Sequence, residues 1–184
     1  MFLLKLGITL IISAIIICVS WYSLKDVNHH GFYRFFAWET ILVLFVLNVN
    51  YWIIAPFSFM QILSWIFLSL SLLLIIMGVY AFRFRGNLDP ERNDIALLGI
   101  EKTTKLVNSG IYGHIRHPFY SSLLLLGWGI ALKHITWPVI LLAVITTLLL
   151  FITSRKEEKE NVNYFGETYI EYMKNSKMFI PFLF

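Results

Sequence analysis

The chain has 184 residues, of which 58% are hydrophobic and 14% are charged, and its formal net charge is +4. A soluble domain of this size has too little interior to bury so much apolar surface, so the composition indicates a membrane protein. The single cysteine, Cys18, excludes an internal disulfide and any metal site built from several cysteines.

Five apolar segments follow one another along the chain, and they predict an all-α membrane fold with about five transmembrane helices. Three long segments cover about residues 2–24, 32–57 and 59–84, and two more cover 118–132 and 135–153. A helix needs roughly 20 apolar residues to cross the hydrocarbon core. The fourth segment is short for this, so we expect it to use flanking interfacial residues or to reach part-way and turn back.

The ends of these segments predict how the helices are connected. The first segment is long and lacks a clear cleavage pattern, so we expect a retained helix rather than a signal peptide. Residues 133–138 form a short turn between the last two segments, and Pro138 suits the first turn of a helix. The last two segments are therefore expected to form a tight helical hairpin.

Lysine and arginine are distributed unevenly between the two sides of the predicted bundle. Thirteen of them follow the first, third and fifth segments, whereas Lys5 and Lys133 lie on the opposite side. By the positive-inside rule this places the N-terminus outside and the C-terminus in the cytoplasm. The polar segments 85–117 and 154–184 then share the cytoplasmic face, as a composite active site requires.

No internal repeat or linker divides the chain, so the sequence predicts one domain over residues 1–184. A charged helix is expected to continue from the fifth segment to about Met173, with Gly166 weakening its middle. Such an amphipathic helix would lie on the membrane or fold back over the cytoplasmic loop. The expected parts are three helices (1–84), a cytoplasmic loop (85–117), the hairpin (118–153) and a cytoplasmic tail (154–184).

The segment GIYGHIRHPFY, residues 110–120, concentrates side chains that could carry chemistry beside the membrane. Its glycines permit close approach of a ligand, and Pro118 can begin a helix whose N–H groups receive an anion. An interfacial belt of Arg, His and Tyr explains the same residues equally well. His114 and His117 lack a third ligand for zinc, so we expect a histidine that binds a ligand and no metal.

Three acids stand out along the chain. Glu157 and Glu158 directly follow the fifth segment, where positive charge normally collects. They belong either to a solvated lattice of ion pairs or to a site that holds an ammonium or sulfonium group. Glu39 lies inside a predicted span, where an acid is by default a functional candidate, or else it pairs with Arg83 or Arg85.

Several function classes find no support in the sequence. Neither GxGxxG nor GxxxxGK[ST] occurs, and GxSxG and HExxH are also absent. A serine hydrolase or zinc protease is therefore disfavoured. The basic residues are scattered along a membrane face, so no nucleic-acid partner is expected.

Two stretches together resemble one enzyme family. TKLVNSGIYGHIRHPFYSSLLLLGWGIAL resembles the signature of the isoprenylcysteine carboxyl methyltransferase family and its phospholipid-methyltransferase relatives. EEKENVNYFGETYIEYMKNSKMFIP resembles the ending of the same family, with its glutamates, an FG-x-x-Y element and a closing proline. The resemblance covers about residues 103–181. It implies a membrane enzyme whose cofactor is S-adenosylmethionine.

The resemblance also implies roles for particular residues. We expect Glu157, His117 and Arg116 to be catalytic, with the glutamate helping to hold the amino group of the cofactor. Thr104 stands where many members of the family have histidine. The expected cofactor-binding residues are Thr104, Lys105, Leu106, Val107, Tyr112, His117, Pro118, Phe119, Tyr120 and Glu157.

One departure from the family pattern concerns the acceptor. The carboxyl methyltransferases contact their substrate through an arginine four residues before that glutamate, where this chain has Thr153. Arg155 would lie about 200° further round a helix and so on another face. The acceptor therefore stays open between a carboxylate, a thiol and a lipid amine. Glu39 and Arg155 remain the substrate-binding candidates.

The sequence thus predicts a membrane-embedded, S-adenosylmethionine-dependent methyltransferase that acts on a lipophilic or small-molecule acceptor at the cytoplasmic interface. Its expected partners are that acceptor and the membrane lipids. The cofactor would arrive from the cytosol and the acceptor sideways from the bilayer. One alternative is a non-catalytic membrane binding or assembly protein on the same scaffold. Another is a different lipid-modifying enzyme, such as a nicotinamide-dependent reductase. The sequence specifies no oligomeric state.

Overall fold

The computed structural model describes residues 2–85 and 105–180. Within these two ranges the chain forms six α-helices, which confirms the predicted all-α fold, together with three short 3₁₀ turns. The helices are α1 (Phe2–Ser20), α2 (His30–Asn48), α3 (Phe59–Arg85), α4 (Pro118–Ala131), α5 (Trp137–Phe165) and α6 (Glu167–Asn175).

Four of these helices, α1, α2, α3 and α5, are long and apolar enough to cross a membrane. The chain is therefore a multi-pass membrane protein. Helix α4 has 14 residues. At 1.5 Å per residue it is roughly 21 Å long, which is shorter than a hydrocarbon core of about 30 Å. The prediction of a short fourth helix is confirmed.

Proline and glycine mark the helix boundaries near the tail. Pro118 occupies the first turn of α4, as predicted, and Pro138 lies in the first turn of α5. Helix α5 continues without a break from its apolar part to Phe165. Gly166 then adopts φ 61° and ψ −139°, a conformation open almost only to glycine, and ends the helix. The single tail helix predicted to Met173 was therefore wrong, because Gly166 divides it into two.

The helices pack in pairs, α2 along α5 and α3 along α4, while α1 packs on α2 and is largely exposed. The exposed faces of α1 and α3 are apolar, as expected of surfaces that face lipid. A buried cluster joins α2, α4 and the start of α5. Its members are Ile41, Leu44, Ile130, Ala131, Val139 and Ala143.

Small residues bring α3 and α4 close together. Ser64 donates a hydrogen bond to the carbonyl oxygen of Gly129 at 2.6 Å, and Ser71 donates one to the carbonyl oxygen of Ser122 at 2.8 Å. A Cβ atom built on Gly129 would lie 3.0 Å from the side chain of Leu68. Such close backbones with interhelical hydroxyl bonds are typical of membrane helix pairs.

The two ends of the bundle differ in character. At one end the Lys133 ammonium donates to Gln61 Oε1 at 3.0 Å and lies 3.5 Å from the centroid of the Trp65 ring. At the other end, the segment before α4 meets the tail in a parallel bridge between Ile115 and Lys177. The two polar segments therefore share one end, as the charge distribution predicted.

Candidate active site

Two cavities open at the end of the bundle where the tail meets the segment before α4. The larger, of about 680 Å³, is lined by charged, amide and aromatic side chains from the loop before α2, from residues 106–112, from the end of α5 and from α6. The smaller, of about 330 Å³, is mostly apolar and lies among α2, α3 and α4. Both volumes fall in the range of small-molecule sites, about 300–1,000 Å³. We call them the polar cavity and the apolar cavity.

Three residues line both cavities, namely Phe82, Tyr112 and Glu157. Tyr112 is buried, and the ring of Phe82 meets its ring edge-on at 5.1 Å between centroids. The Glu157 side chain keeps 24% of its surface exposed. A ligand in one cavity would therefore meet a ligand in the other across this shared wall.

The last turns of α5 present a polar stripe to the polar cavity. Glu157, Glu160, Asn161 and Tyr164 follow one another at the i, i+3, i+4 and i+7 positions, which lie on one helical face. Of these four residues, the sequence predicted only Glu157 as a site residue. The helical spacing of the four residues was the signal that could have identified the others.

Glu160 fastens the end of α5 to the start of α2. Its carboxylate accepts hydrogen bonds from the His30 backbone N–H at 2.8 Å and from His30 Nδ1 at 2.6 Å. An acid at this position also complements the positive end of the α2 dipole. His29 Nε2 lies 3.8 Å from the same carboxylate, while its Nδ1 accepts a bond from the Gly31 N–H. His29 and His30 were not among the predicted site residues, although both line the polar cavity.

Helix α6 closes over the polar cavity with two buried tyrosines. The Tyr172 hydroxyl donates to the carbonyl oxygen of Tyr112 at 2.6 Å. Burial raises the pKa of Tyr172 and of Tyr169 above the usual tyrosine range, and the nearby Glu157 carboxylate adds to both effects. Both side chains are therefore neutral phenols at physiological pH. Of the two positions predicted for the tail, on the membrane or folded back over the loop, these contacts show the tail packed on the described end of the loop, the segment before α4.

Arg116 is held by hydrogen bonds to α5 and to the tail, and it lines neither cavity. Its Nε donates to Glu158 Oε1 at 2.8 Å, and its Nη1 donates to the carbonyl oxygens of Met173 and Ser176. Its backbone N–H donates to the carbonyl oxygen of Lys177. Arg116 thus joins α5 and the tail to the start of α4, and its catalytic role stays a prediction.

His117 lies between the two tail glutamates and lines the apolar cavity. Its Nδ1 is 3.9 Å from Glu157 Oε2, and its Nε2 is 3.5 Å from Glu158 Oε1. His117 and the three residues after it were predicted to bind the cofactor. The structure places all four on the apolar cavity and outside the lining of the polar one. They are His117, Pro118, Phe119 and Tyr120.

The segment before the signature is only partly described. Leu106 and Val107, two of the predicted cofactor-binding residues, line the polar cavity. Lys105 is exposed and lines neither cavity. Thr104 lies outside the described residues.

The two substrate-binding candidates from the sequence line neither the polar nor the apolar cavity. Glu39 accepts a hydrogen bond from Ser13 Oγ at 2.9 Å, so its described partner is a serine of α1 and not Arg83. Arg155 is exposed, and its Nη1 donates to Glu158 Oε2 at 3.2 Å. The buried hydroxyl of Thr153 donates to the Leu149 carbonyl of its own helix.

Arg34 and Trp38 of α2 line the apolar cavity, and sequence reasoning missed both. Arg34 is 2% exposed although it carries a charge. In the sequence-based prediction, Arg34 was used only in the count of Lys and Arg residues that set the orientation in the membrane. Its position within an apolar helix was the signal, because ionisable residues in membrane helices are rare and usually functional.

Comparison with known proteins matches residues 66–168 to the phospholipid methyltransferase family. Methanethiol S-methyltransferase of Pseudomonas deceptionensis is 36% identical over 73 residues, which are 40% of this chain and 27% of that protein. No solved structure matches significantly. The family match covers more than half of the chain and includes the site signature, most of α3 and all of α4 and α5. It agrees with the predicted class, an S-adenosylmethionine-dependent membrane methyltransferase. The chain belongs to the phospholipid methyltransferase family.

Proposed function

We propose that this protein transfers a methyl group from S-adenosylmethionine, held in the polar cavity, to a small or lipophilic acceptor held in the apolar cavity. The observation that carries the proposal is the wall of Phe82, Tyr112 and Glu157 that the two cavities share. A cofactor with polar ends and an apolar acceptor need separate environments that meet at one point. The two cavities provide these separate environments, and the shared wall is the point where they meet.

The side chains of the polar cavity fit the cofactor by charge and by shape. Glu157 offers a carboxylate to its amino group, and Lys156 and Lys159 offer ammonium groups to its carboxylate. The aromatic rings of Tyr112 and Tyr164 suit the adenine and the sulfonium, the latter through cation–π attraction. When bound, S-adenosylmethionine supplies an electrophilic methyl group on a positively charged sulfur.

The remaining contribution of the chain is orientation and exclusion of water. A direct displacement needs no covalent intermediate on the protein, so the alignment of acceptor and donor contributes most to the rate. The buried phenols of Tyr169 and Tyr172 cover the site and carry no charge. His117 lines the acceptor cavity beside Glu157, and its imidazole is within reach of a proton released there.

A thiol is the acceptor that the comparisons favour. The relative from Pseudomonas deceptionensis is named for methanethiol, a small thiol. A cavity of about 330 Å³ with a mostly apolar lining suits a small apolar molecule. The resemblance to isoprenylcysteine carboxyl methyltransferases implies an arginine on α5 that binds a carboxylate of the substrate. Thr153 stands at that position here, and its hydroxyl is bound to its own helix.

We place the end of the bundle that carries both cavities in the cytoplasm. Thirteen of the 15 Lys and Arg residues belong to segments on this side, and such segments are retained on the cytoplasmic side of membranes. The polar cavity then faces the cytosolic pool of the cofactor, and the apolar cavity adjoins the bilayer.

Calorimetry on protein purified in detergent tests this proposal. S-adenosylhomocysteine should bind the wild type with a Kd in the micromolar range, about −8 kcal/mol. Glu157→Gln should weaken binding by about tenfold or more, because hydrogen bonds to charged groups contribute about 1.5–3 kcal/mol. Glu171→Gln, an exposed acid of α6 that lines neither cavity, is the matched control and should bind normally. Absence of binding to the wild type contradicts the proposal and favours a non-catalytic membrane protein.

A further inference from the structure

We propose that Gly78 of α3 sets the length of the acceptor that this protein can methylate. Because Gly78 has no side chain, the ring of Phe119 lies against α3 and leaves the apolar cavity open. The inference rests on the proposed function, which assigns that cavity to the methyl acceptor, and it deepens it by naming a residue that selects acceptors by size. Gly78 itself lines neither cavity, so it acts through the position of the Phe119 ring.

Gly78 lies on the face of α3 that borders the apolar cavity. Ile75, Val79 and Phe82 line that cavity. Together with Gly78 they occupy the i, i+3, i+4 and i+7 positions, which share one side of a helix. Gly78 is nevertheless buried and outside the lining. The ring of Phe119, from the first turn of α4, covers Gly78 and supplies the cavity wall at this point.

The Phe119 ring packs on Gly78 too closely for a larger residue at position 78. A Cβ atom built on Gly78 would lie 3.1 Å from Cε1 and 3.2 Å from Cζ of Phe119. Non-bonded carbon atoms are best separated by about 3.5–4.0 Å, so even one methyl group here would require the ring to move. Gly127, a buried glycine of α4, differs in this respect, because a Cβ there would lie 3.6 Å from the nearest atom of Thr146.

The apolar cavity is the open space into which the ring of Phe119 can move. The backbone of Phe119 is held, since its carbonyl oxygen accepts a hydrogen bond from Ser122 Oγ at 2.7 Å. The two helices resist separation, because Ser71 Oγ of α3 donates to the carbonyl oxygen of Ser122. The ring of Phe82 stacks beside the Phe119 ring, with 5.8 Å between centroids. A larger residue at position 78 would therefore push the ring into the space of the acceptor.

A displaced ring would shorten the acceptor that fits and leave the cofactor site in place. The described lining of the polar cavity contains neither Gly78 nor Phe119. The reacting end of the acceptor meets the cofactor at the shared wall of Phe82, Tyr112 and Glu157, so the rest of the acceptor chain must fit in the remaining cavity. Each methylene group that is left out of an apolar site lowers affinity about fourfold.

Methyl-transfer kinetics with straight-chain thiols test the inference. The probes are ethanethiol, 1-butanethiol, 1-hexanethiol and 1-octanethiol in detergent micelles, with S-adenosylmethionine as donor. Each transfer forms a bond from the thiol sulfur to the methyl carbon and breaks the bond from that carbon to the sulfonium sulfur, which keeps the electron pair. The thiol proton is released to water. Each thiol divides between water and micelles in the same way for every protein, so differences between variants report the cavity.

The proteins are wild type, Gly78→Ala, Phe119→Ala, the double variant, and Gly127→Ala as the matched control. The quantity compared is the kcat/KM for the longest thiol that the wild type methylates, divided by that for ethanethiol. We expect this ratio to fall about fourfold or more in Gly78→Ala and to rise in Phe119→Ala. It should stay at the wild-type value in Gly127→Ala. A general loss of stability would lower both kcat/KM values together and leave the ratio unchanged.

The double variant shows whether Gly78 acts through the ring. Without the ring of Phe119, the methyl group of Gly78→Ala has nothing to displace, so the ratio should equal that of Phe119→Ala. The same fall in the double variant as in Gly78→Ala alone would overturn the inference. An unchanged ratio in Gly78→Ala would overturn it as well.

Binding of S-adenosylhomocysteine is measured first and separates the two levels of failure. A wild type that does not bind it contradicts the proposed function, and the inference fails with it. A wild type that binds it but methylates none of the thiols contradicts the inference alone. If Gly78→Ala loses this binding through misfolding, Phe119→Ala decides instead, and an unchanged ratio in Phe119→Ala is then the contrary result.

Discussion

The hydroxyl of Tyr172 donates a hydrogen bond to the backbone carbonyl oxygen of Tyr112 over 2.6 Å. The bond joins α6 to the segment that precedes α4, and both tyrosines are buried in the lining of the polar cavity. Because Tyr112 also lines the apolar cavity, the tail of the chain helps to hold the point where the two cavities meet.

Tyr172→Phe should destabilise the protein and weaken cofactor binding together. The substitution leaves a buried carbonyl without its donor, which costs about 1–3 kcal/mol. We expect a lower midpoint of thermal unfolding in detergent and a higher Kd for S-adenosylhomocysteine. Tyr80→Phe, at a tyrosine of α3 that is 56% exposed, should change neither quantity. Wild-type values for both quantities in Tyr172→Phe would show that this bond does not hold the cavity wall.

Arg116 and Glu158 should behave as a structural pair. Their side chains are 9% and 4% exposed, and removal of one partner leaves a buried charge without its nearest opposite charge. We expect Arg116→Met and Glu158→Met each to lower the free energy of unfolding by about 3–5 kcal/mol. The double variant should lose clearly less than the two losses added together. Strictly additive losses in chemical unfolding experiments would contradict a direct coupling between the two side chains.

Gly129 should not tolerate a larger side chain. A Cβ atom there would lie 3.0 Å from the Leu68 side chain and 3.3 Å from the Leu68 backbone nitrogen, so α3 and α4 would have to separate. Gly129→Val is expected to cost about 1–3 kcal/mol, as overpacking does, and to lower the thermal midpoint. Gly7→Val is the control, because a Cβ on Gly7 meets nothing within 4 Å. Equal midpoints for the two variants would contradict this packing.

The proposed orientation predicts which thiols can be labelled from outside the cell. In a Cys18→Ser background, Lys174→Cys places a thiol on the exposed face of α6, and Phe57→Cys places one in the loop between α2 and α3. An impermeant maleimide should label Cys at position 57 in intact cells. It should label position 174 only after the cells are permeabilised. The reverse pattern would invert the topology and place the cofactor cavity on the wrong side for a cytosolic cofactor.

Local sequence signals predicted much of the fold. Apolar length identified the helices, the shortness of segment 118–132 identified α4, and Pro118 marked its first turn. The charge distribution predicted that the loop and the tail share one end, because the positive-inside rule acts on each loop separately. These are properties of single segments, and a sequence displays them directly.

The candidate site was predicted less completely, because its walls join residues that are far apart in the chain. Glu157, Leu106 and Val107 were expected at the cofactor and line the polar cavity. His117 was expected there too, but the start of α4 turns it towards the apolar cavity. Arg34 lines the apolar cavity because α2 packs against α5. In the sequence, Arg34 is remote from the signature segment 110–120. No local pattern specifies that packing.

The most direct test of the central claim is the transfer of a labelled methyl group from S-adenosylmethionine by the detergent-purified protein. The acceptors are a membrane-lipid extract and a short alkanethiol, and extraction into organic solvent measures the label. The account predicts label in an apolar product with the wild type and with Glu171→Gln, and at least about a tenfold lower rate with Glu157→Gln. Label that stays in the aqueous phase with a folded wild type that binds S-adenosylhomocysteine, or a Glu157→Gln rate equal to the wild-type rate, would contradict it.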